Sequence, residues 1–338
     1  MKDKYVVILA AGQGVRMNSS DESHSKVAYP ILGKPLVNYV LDASRIFEAK
    51  ETYVVVGFGG EATSKCVEGE AKIIWQDKML GTGYAMMKAN ELLKDKEGDV
   101  IILCGDTPLL TKETLEKIYH KHEKNDNKLT ICSTVLSNPK GYGRVVREKA
   151  SYRLLEVIPY AELKEEDADN HEINSGIYVV DNTLLQKYVK LLSKDNKKNE
   201  YYLSDIVKML SDDGHKVDAY VLENAEDLYN INDRIQLAYA AKVMRKRVNH
   251  RLMLSGVSIE DPDTAYISPD ASIGRDTVIY ANTTILGKTV IGENNLIGPN
   301  STLENVKVGN NCKVISSHLA NIELKDNEVV GPFETRGK

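Results

Sequence analysis

The sequence predicts an α/β domain built on a mostly parallel sheet, followed by a short parallel β-helix. Short β-branched runs alternate with amphipathic stretches over the first two thirds of the chain. A glycine-rich turn, LAAGQGVRM, closes the first of those runs. Toward the C-terminus, aliphatic residues recur every six positions. These patterns divide the chain into residues 1–231 for the α/β domain, 232–263 for a linker helix and connector, and 264–338 for the β-helix.

The strands are expected, in order, at YVVILAA, TYVVVGF, AKIIW, DVIILCG, LTICSTVL, INSGIYVV and KVDAYVL. Helices are expected over residues 35–48, 82–94, 111–124 and 203–211, where apolar residues keep a helical period. Such alternation implies parallel strands, helices on both faces and right-handed crossovers. GYGRVV and SYRLLEVI stand too close together for a crossover and predict an antiparallel excursion. A long helix is expected over residues 232–254, with VMRKRVNHR as a solvated terminus favoured by the helix dipole, and a linker over 255–263. In the repeat, Ile267, Ile273, Ile279, Ile285, Ile291, Ile297 and Leu303 fall in register, and Val308 and Val314 resume after a slip of one residue. Gly274, Gly292, Gly298 and Gly309 follow four of these positions, where tight corners are expected. A triangular prism of about three coils results.

Composition narrows the function. Against 49 acidic residues the 338-residue chain carries 44 lysines and arginines, a net charge of −5. That balance lacks the basic surplus that binding to nucleic-acid phosphates requires. No apolar run approaches the roughly 20 residues of a membrane-spanning helix. The first dozen residues have two lysines ahead of an apolar run, but Asp3 interrupts them, and a first strand is expected rather than a signal peptide. Cys66, Cys104, Cys132 and Cys312 are scattered and suit reduced thiols in a cytoplasmic enzyme.

The glycine turn is neither GxGxxG, since Met17 replaces the third glycine, nor a Walker loop, since no GK[ST] follows. It does offer backbone N–H groups to a nucleotide, with Arg16 and Lys26 nearby to balance phosphate charge. This segment resembles the LAAGxGxRM loop of the sugar-1-phosphate nucleotidylyltransferases. WQDKMLGTGYAM resembles the QxxxLGTGxA segment that holds uracil in the N-acetylglucosamine-1-phosphate uridyltransferases, and CGDTPLL their GDxPL segment. GYGRVV, LLEVI, EINSGIY, YYLSD and NINDR follow in that family's order, so the resemblance runs from about Tyr5 to Gly331.

The resemblance implies a Rossmann-like nucleotide-diphospho-sugar transferase domain with a mixed sheet, and a left-handed β-helix behind it. It implies transfer of UMP from UTP to N-acetylglucosamine 1-phosphate, for cell-wall precursor synthesis, by a cytoplasmic trimer joined through the β-helix. Arg16, Lys26 and Asp106 are the implied catalytic residues. Ala10, Ala11, Gly12, Gln76, Gly81 and Thr82 would bind the nucleotide, and Gly141, Glu156, Asn174 and Asn232 the sugar phosphate. Asp106 and Asn232 would hold Mg²⁺, which prefers a few protein oxygens beside phosphate and water. The chemistry agrees: in-line attack at the α-phosphorus gathers negative charge, so positioning and cations are what the protein must supply. Without the resemblance, Asp106 could be a helix N-cap, Gly81 a helix entry and Glu156 a solvated strand charge.

Several positions depart from the family pattern. The loop between Arg16 and Lys26 is long, Ser25 replaces a proline, Ile158 follows Glu156 where a charge is common, and Cys104 is small. The sequence also stops at GPFETRGK, about where bifunctional members begin their acetyl-CoA site, so no acetyltransferase activity is expected. His318 is expected on the surface, and His120 and His122 lack metal-site spacing. The competing readings are another sugar-1-phosphate nucleotidylyltransferase, a non-catalytic nucleotide-sensing assembly protein, and an acyltransferase.

Overall fold

The computed structural model describes residues 2–20 and 25–337, and the chain packs as two compact units. One comprises Met1–Ala28 and Leu36–Asp233, the other Tyr29–Pro35 and Arg234–Lys338.

The first unit is built on a nine-stranded sheet. Its strands are β1 (Lys4–Leu9), β2 (Glu51–Val56), β3 (Lys72–Trp75), β4 (Asp99–Cys104), β5 (Leu129–Val135), β6 (Arg144–Arg147), β7 (Leu154–Ile158), β8 (Glu172–Asp181) and β9 (Val217–Val221). The order across the sheet is β9-β5-β8-β4-β1-β2-β3, with β6 and β7 attached beyond β8. All seven expected strands form, and β6 pairs antiparallel with β7 as the excursion. The sheet is mixed because β8 runs antiparallel to both β4 and β5.

Alternation along the central strands sends side chains to two cores. Tyr5 and Val7 of β1, Tyr53 and Val55 of β2, and Val100 and Ile102 of β4 share one face with Ala85, Met86 and Leu93 of α3 (Thr82–Leu93). Val6, Ile8, Val54, Val56, Ile101 and Leu103 pack on the other face. They meet Val37 and Val40 of α1 (Leu36–Ser44) and Leu115 and Ile118 of α4 (Lys112–Lys124). Burial of each such side chain stabilises by about 1.5–3 kcal/mol, which is why the central strands carry almost no polar residue. Thr111 caps α4, its hydroxyl accepting from the Thr114 N–H at 3.2 Å, so the capping role open to Asp106 is already filled. Two seven-residue helices, α2 (Gly60–Cys66) and α5 (Asn182–Tyr188), lie outside the sequence reading because two turns are too short to show a period.

The second unit contains a hairpin (Pro30–Ile31 with Lys34–Pro35), the long helix Arg234–Leu254 and the left-handed β-helix. Gly33 turns the hairpin at φ +79°, and a Cβ there would stand 3.3 Å from Leu286 Cδ2. Lys34, nearly buried, donates to Asp270 at 2.7 Å. The prism has three parallel sheets of five, five and four strands. At three strands per turn this exceeds four turns, more than the expected three or so. The hexad count missed the rest because Leu303–Val308, Val314–Leu319 and Leu319–Leu324 are five-residue steps, yet all five side chains are buried. Ser258–Ile259 already pairs with Val278–Ile279, so the prism starts within the segment read as connector.

The corners also differ from expectation. Asn282, Asn294, Asn300, Asn305, Asn311, Asn321 and Asn327 take the left-handed conformation, which asparagine tolerates among L residues. Of the four repeat glycines only Gly298 has positive φ. Gly292 is required by close approach instead, since a Cβ would lie 2.7 Å from the Gly309 carbonyl oxygen of the next coil. The VMRKRVNHR patch is not wholly solvated either. Arg245 is buried, bonded to Asp263 at 3.1 Å and 5.0 Å above the Tyr266 ring, while Asn249 donates to the Pro262 and Ala265 carbonyls. Among the described residues no helix is long and apolar enough to cross a membrane.

Candidate active site

The site forms at the C-terminal ends of β1 and β4, where open α/β sheets place their ligands. Backbone bonds lock these strand ends together: Ala10 N–H to Val55 O at 2.9 Å, Gly105 N–H to Leu9 O at 2.9 Å, and Gln76 N–H to Val56 O at 2.8 Å. Around them lies a cavity of about 460 Å³. Ala10, Ala11, Gly12, Lys26, Gln76, Gly81, Thr82 and Asp106 all line it. Of the other sequence-predicted residues, Arg16 is exposed on the Val15–Met17 turn outside that lining.

The two glycines of the loop do different things. An added Cβ at Gly12 meets nothing within 4 Å, so its backbone is open to a close-lying ligand. Gly14 sits at φ +63°, and a Cβ there would press on the Lys26 side chain. Residues 21–24 of the long loop lie outside the described residues, and Ser25 beyond them is buried.

Asp106 organises the polar centre. Its carbonyl accepts from Ile231 N–H at 2.9 Å, which sets Asn230 and Asn232 on either side. Asn230 Nδ2 donates to Asp106 Oδ1 at 3.1 Å. Lys26 Nζ donates to Asp106 Oδ2 at 2.5 Å and to Asn232 Oδ1 at 3.2 Å. A carboxylate and an amide oxygen thus converge on a single positive charge. These are hard donors, two in number, and suit a divalent cation that takes its remaining ligands from phosphate and water. Among the described residues no cluster of three or more His, Cys, Asp or Glu offers a metal site. Asn230 was not singled out from sequence, although its place two residues before Asn232 in NINDR puts both on one side of an extended segment.

Gln76 is buried beside the cavity. Its Nε2 donates to the Lys78 carbonyl at 2.6 Å, and its Oε1 has no partner. Gly81, at φ +95°, enters α3, and a Cβ would lie 2.6 Å from Tyr201 O. Tyr201 N–H donates to Leu80 O at 2.7 Å and Gly83 N–H to Tyr201 O at 2.8 Å. Thr82 Oγ1 accepts from Leu203 N–H at 3.1 Å. LGTG and YYLSD are therefore stitched into one wall, a relation their separation in sequence conceals.

Farther along β8, Asn174 Nδ2 donates to Tyr178 Oη at 2.8 Å, and its Oδ1 accepts from Gly176 N–H at 3.2 Å. Gly141 takes φ +89°. Glu156 on β7 lies 3.6 Å from Lys208 Nζ. Burial, with the Glu162 and Glu156 charges adding to it, pushes the Asp205 carboxyl up to about 6. Burial and the Asp106 charge push the Cys104 thiol up to about 12, so it is neutral and not a nucleophile. His318 is exposed; His122 is buried with Nδ1 against Thr130 Oγ1 at 3.0 Å.

A mixed α/β sheet, an open glycine loop and a Lys–Asp–Asn centre at its mouth define a nucleotidyltransferase. Residues 5–242 match the family described as nucleotidyl transferase, and residues 288–314 match the bacterial transferase hexapeptide (six repeats). The bifunctional protein GlmU of Lactobacillus johnsonii is 40% identical over 330 residues, covering 98% of this chain and 71% of that protein. Those of Thermoanaerobacter pseudethanolicus and Caldanaerobacter subterraneus are 40% and 42% identical over 333 residues, each with 98% of this chain and 72% of theirs covered. The chain belongs to the GlmU family. Its activity is the uridyltransferase step of UDP-N-acetylglucosamine synthesis, a reaction that uses a nucleotide, a sugar phosphate and a divalent metal.

Proposed function

We propose that the chain transfers UMP from UTP to N-acetylglucosamine 1-phosphate with Mg²⁺, using the groups gathered around Asp106. The observation that carries the base assignment is the Gln76 amide. With Nε2 bonded to Lys78 O, its buried Oε1 remains to accept a hydrogen bond. Uracil offers an N–H at N3, whereas cytosine offers an acceptor there, so the site favours UTP. Ala10, Ala11 and Gly12 add backbone contacts, and Gly81 and Thr82 close the other side of the base.

Asp106 and Asn232 would hold Mg²⁺, which would offset phosphate charge and favour the departure of pyrophosphate. An ionised oxygen of the sugar phosphate attacks the α-phosphorus of UTP, the bond to the β-phosphate oxygen breaks, and pyrophosphate leaves with that electron pair. No general base is required. Lys26 and Arg16 stabilise the charge that develops on the transferred group and on pyrophosphate. Gly141, Glu156 and Asn174 orient the sugar. The four free thiols suit the reducing cytoplasm. The hexapeptide prism supports a trimer assembled through that unit, because short solenoids gain stability by burying surface against neighbours.

Pyrophosphate release, measured with Mg²⁺ across four nucleoside triphosphates and several sugar 1-phosphates, tests this reading. UTP with N-acetylglucosamine 1-phosphate should be the preferred pair; equal use of CTP would overturn the role given to Gln76. Light scattering of the intact protein should give three chains per particle.

A further inference from the structure

The chain passes between its two units three times, and two of these passages border the polar centre. Residues Tyr29 and Arg234, the first of each passage into the second unit, follow Lys26 by three residues and Asn232 by two. Lys26 belongs to a single 3-10 turn, Lys26–Ala28, in which Ala28 N–H donates to Ser25 O at 3.1 Å. On the other side, Arg234 opens the long helix directly after NIND. The two passages are joined: Arg234 Nη2 donates to Tyr29 Oη at 3.0 Å, and its guanidinium lies 4.7 Å above the Tyr29 ring. This pair thus joins the two segments of the second unit that closely follow Lys26 and Asn232 in the chain.

We propose that Arg234, clasped on Tyr29, is a positioning residue for the Lys26–Asp106–Asn232 centre. Neither residue lines the cavity beside Asp106. It sets the separation between Lys26 and Asn232, and with it the readiness of the Asp106 and Asn232 oxygens to take a cation. Both short connections transmit displacement well, because a 3-10 turn and a helix start leave little backbone freedom. A stacked cation is also less tolerant of replacement by lysine than an isolated salt bridge, since only the planar guanidinium both stacks and donates to the hydroxyl.

The inference rests on the metal role given to Asp106 and Asn232, and its test separates the two ideas. Bound Mn²⁺ is measured in the intact protein with UTP present, from the loss of the free-ion resonance signal, beside thermal unfolding and steady-state kinetics. Arg234→Ala and Tyr29→Ala should each weaken Mn²⁺ binding roughly three- to tenfold, with kcat reduced and unfolding temperature unchanged. The double variant should lose no more than either single one, because the two residues form one device. Tyr29→Phe and Arg234→Lys, which preserve the fold most securely, should fall between. Lys34→Ala breaks a different contact of the same hairpin and should leave Mn²⁺ affinity at the wild-type level. Unchanged affinity in the Arg234 and Tyr29 variants, additive losses, or an equal loss in Lys34→Ala would each overturn the clasp while Asp106→Asn still weakens binding. If Asp106→Asn also binds Mn²⁺ normally, the metal assignment has failed and the clasp falls with it.

Discussion

The Cβ that Gly14 lacks would stand 2.7 Å from the Cβ of Lys26, closer than two carbons can approach. The second glycine of the loop is therefore a packing requirement of the lysine that contacts Asp106. Gly14→Ala combines this clash with a positive φ, and both push on Lys26 rather than on the sheet. Turnover should fall roughly tenfold or more, with a shift of only a few degrees in unfolding temperature. Steady-state assay beside calorimetry checks this; an alanine variant of full activity would show that the loop and Lys26 move independently.

Asp106→Asn keeps the shape of the side chain and its capacity to accept from Asn230, but removes the carboxylate paired with Lys26. Turnover should drop by about 10²-fold or more, and higher Mg²⁺ should recover only part of it. A variant that retains near wild-type turnover at ordinary Mg²⁺ would remove Asp106 from the centre.

Gln76→Ala deletes the buried Oε1 that has no hydrogen-bond partner, on a residue that lines the cavity. Efficiency with UTP should fall roughly 10- to 100-fold, while efficiency with CTP changes little, because only uracil loses a partner at N3. The ratio of the two efficiencies, rather than either value, is the diagnostic quantity.

Asp205 gives a pH-dependent stability term of known sign. Its carboxyl titrates near 6 in the folded chain against an ordinary 3.8. The folded state binds the proton more tightly, so this contribution is complete below pH 3.8 and is lost as pH rises through 6. Asp205→Asn should remove that loss and raise stability at neutral pH by about 1 kcal/mol once solvent screening is allowed for. Denaturant unfolding at pH 4, 6 and 8 reads it out. A wild-type difference between pH 4 and 8 that Asp205→Asn leaves intact would assign the dependence to other groups.

The strands were legible because their signal is local: a short run rich in β-branched residues marks a buried strand wherever it lies in the sheet. Sheet order was not, since the antiparallel insertion of β8 between β4 and β5 depends on pairings 37 residues or more apart. The prism was legible from Ile267 to Val314, across one slip at Val308, and then blurred, because the five-residue steps to Leu319 and Leu324 break the period without breaking the core. At the site, eight of the residues that the family motifs single out line a common cavity, whereas Arg16, Gly141, Glu156, Asn174 and Asn232 are not among its lining. Asn230 and Tyr201 escaped notice for a physical reason. Asn230 acts on another side chain and Tyr201 through backbone atoms, and neither action marks a residue type.

The hairpin at residues 29–35 has a consequence for synthesis on the ribosome. Ile31 and Leu32 are 1% and 8% exposed in the finished protein, within a unit whose other residues begin at Arg234. Leu286, which Gly33 approaches, is translated 286 − 33 = 253 residues later. At about 5–20 residues per second, that interval lasts roughly 13–50 s. During that time the unit to which these two buried aliphatic side chains belong is incomplete. The nascent chain thus carries a sticky segment through most of its own translation, and the order in which its parts are made opposes the order in which they pack.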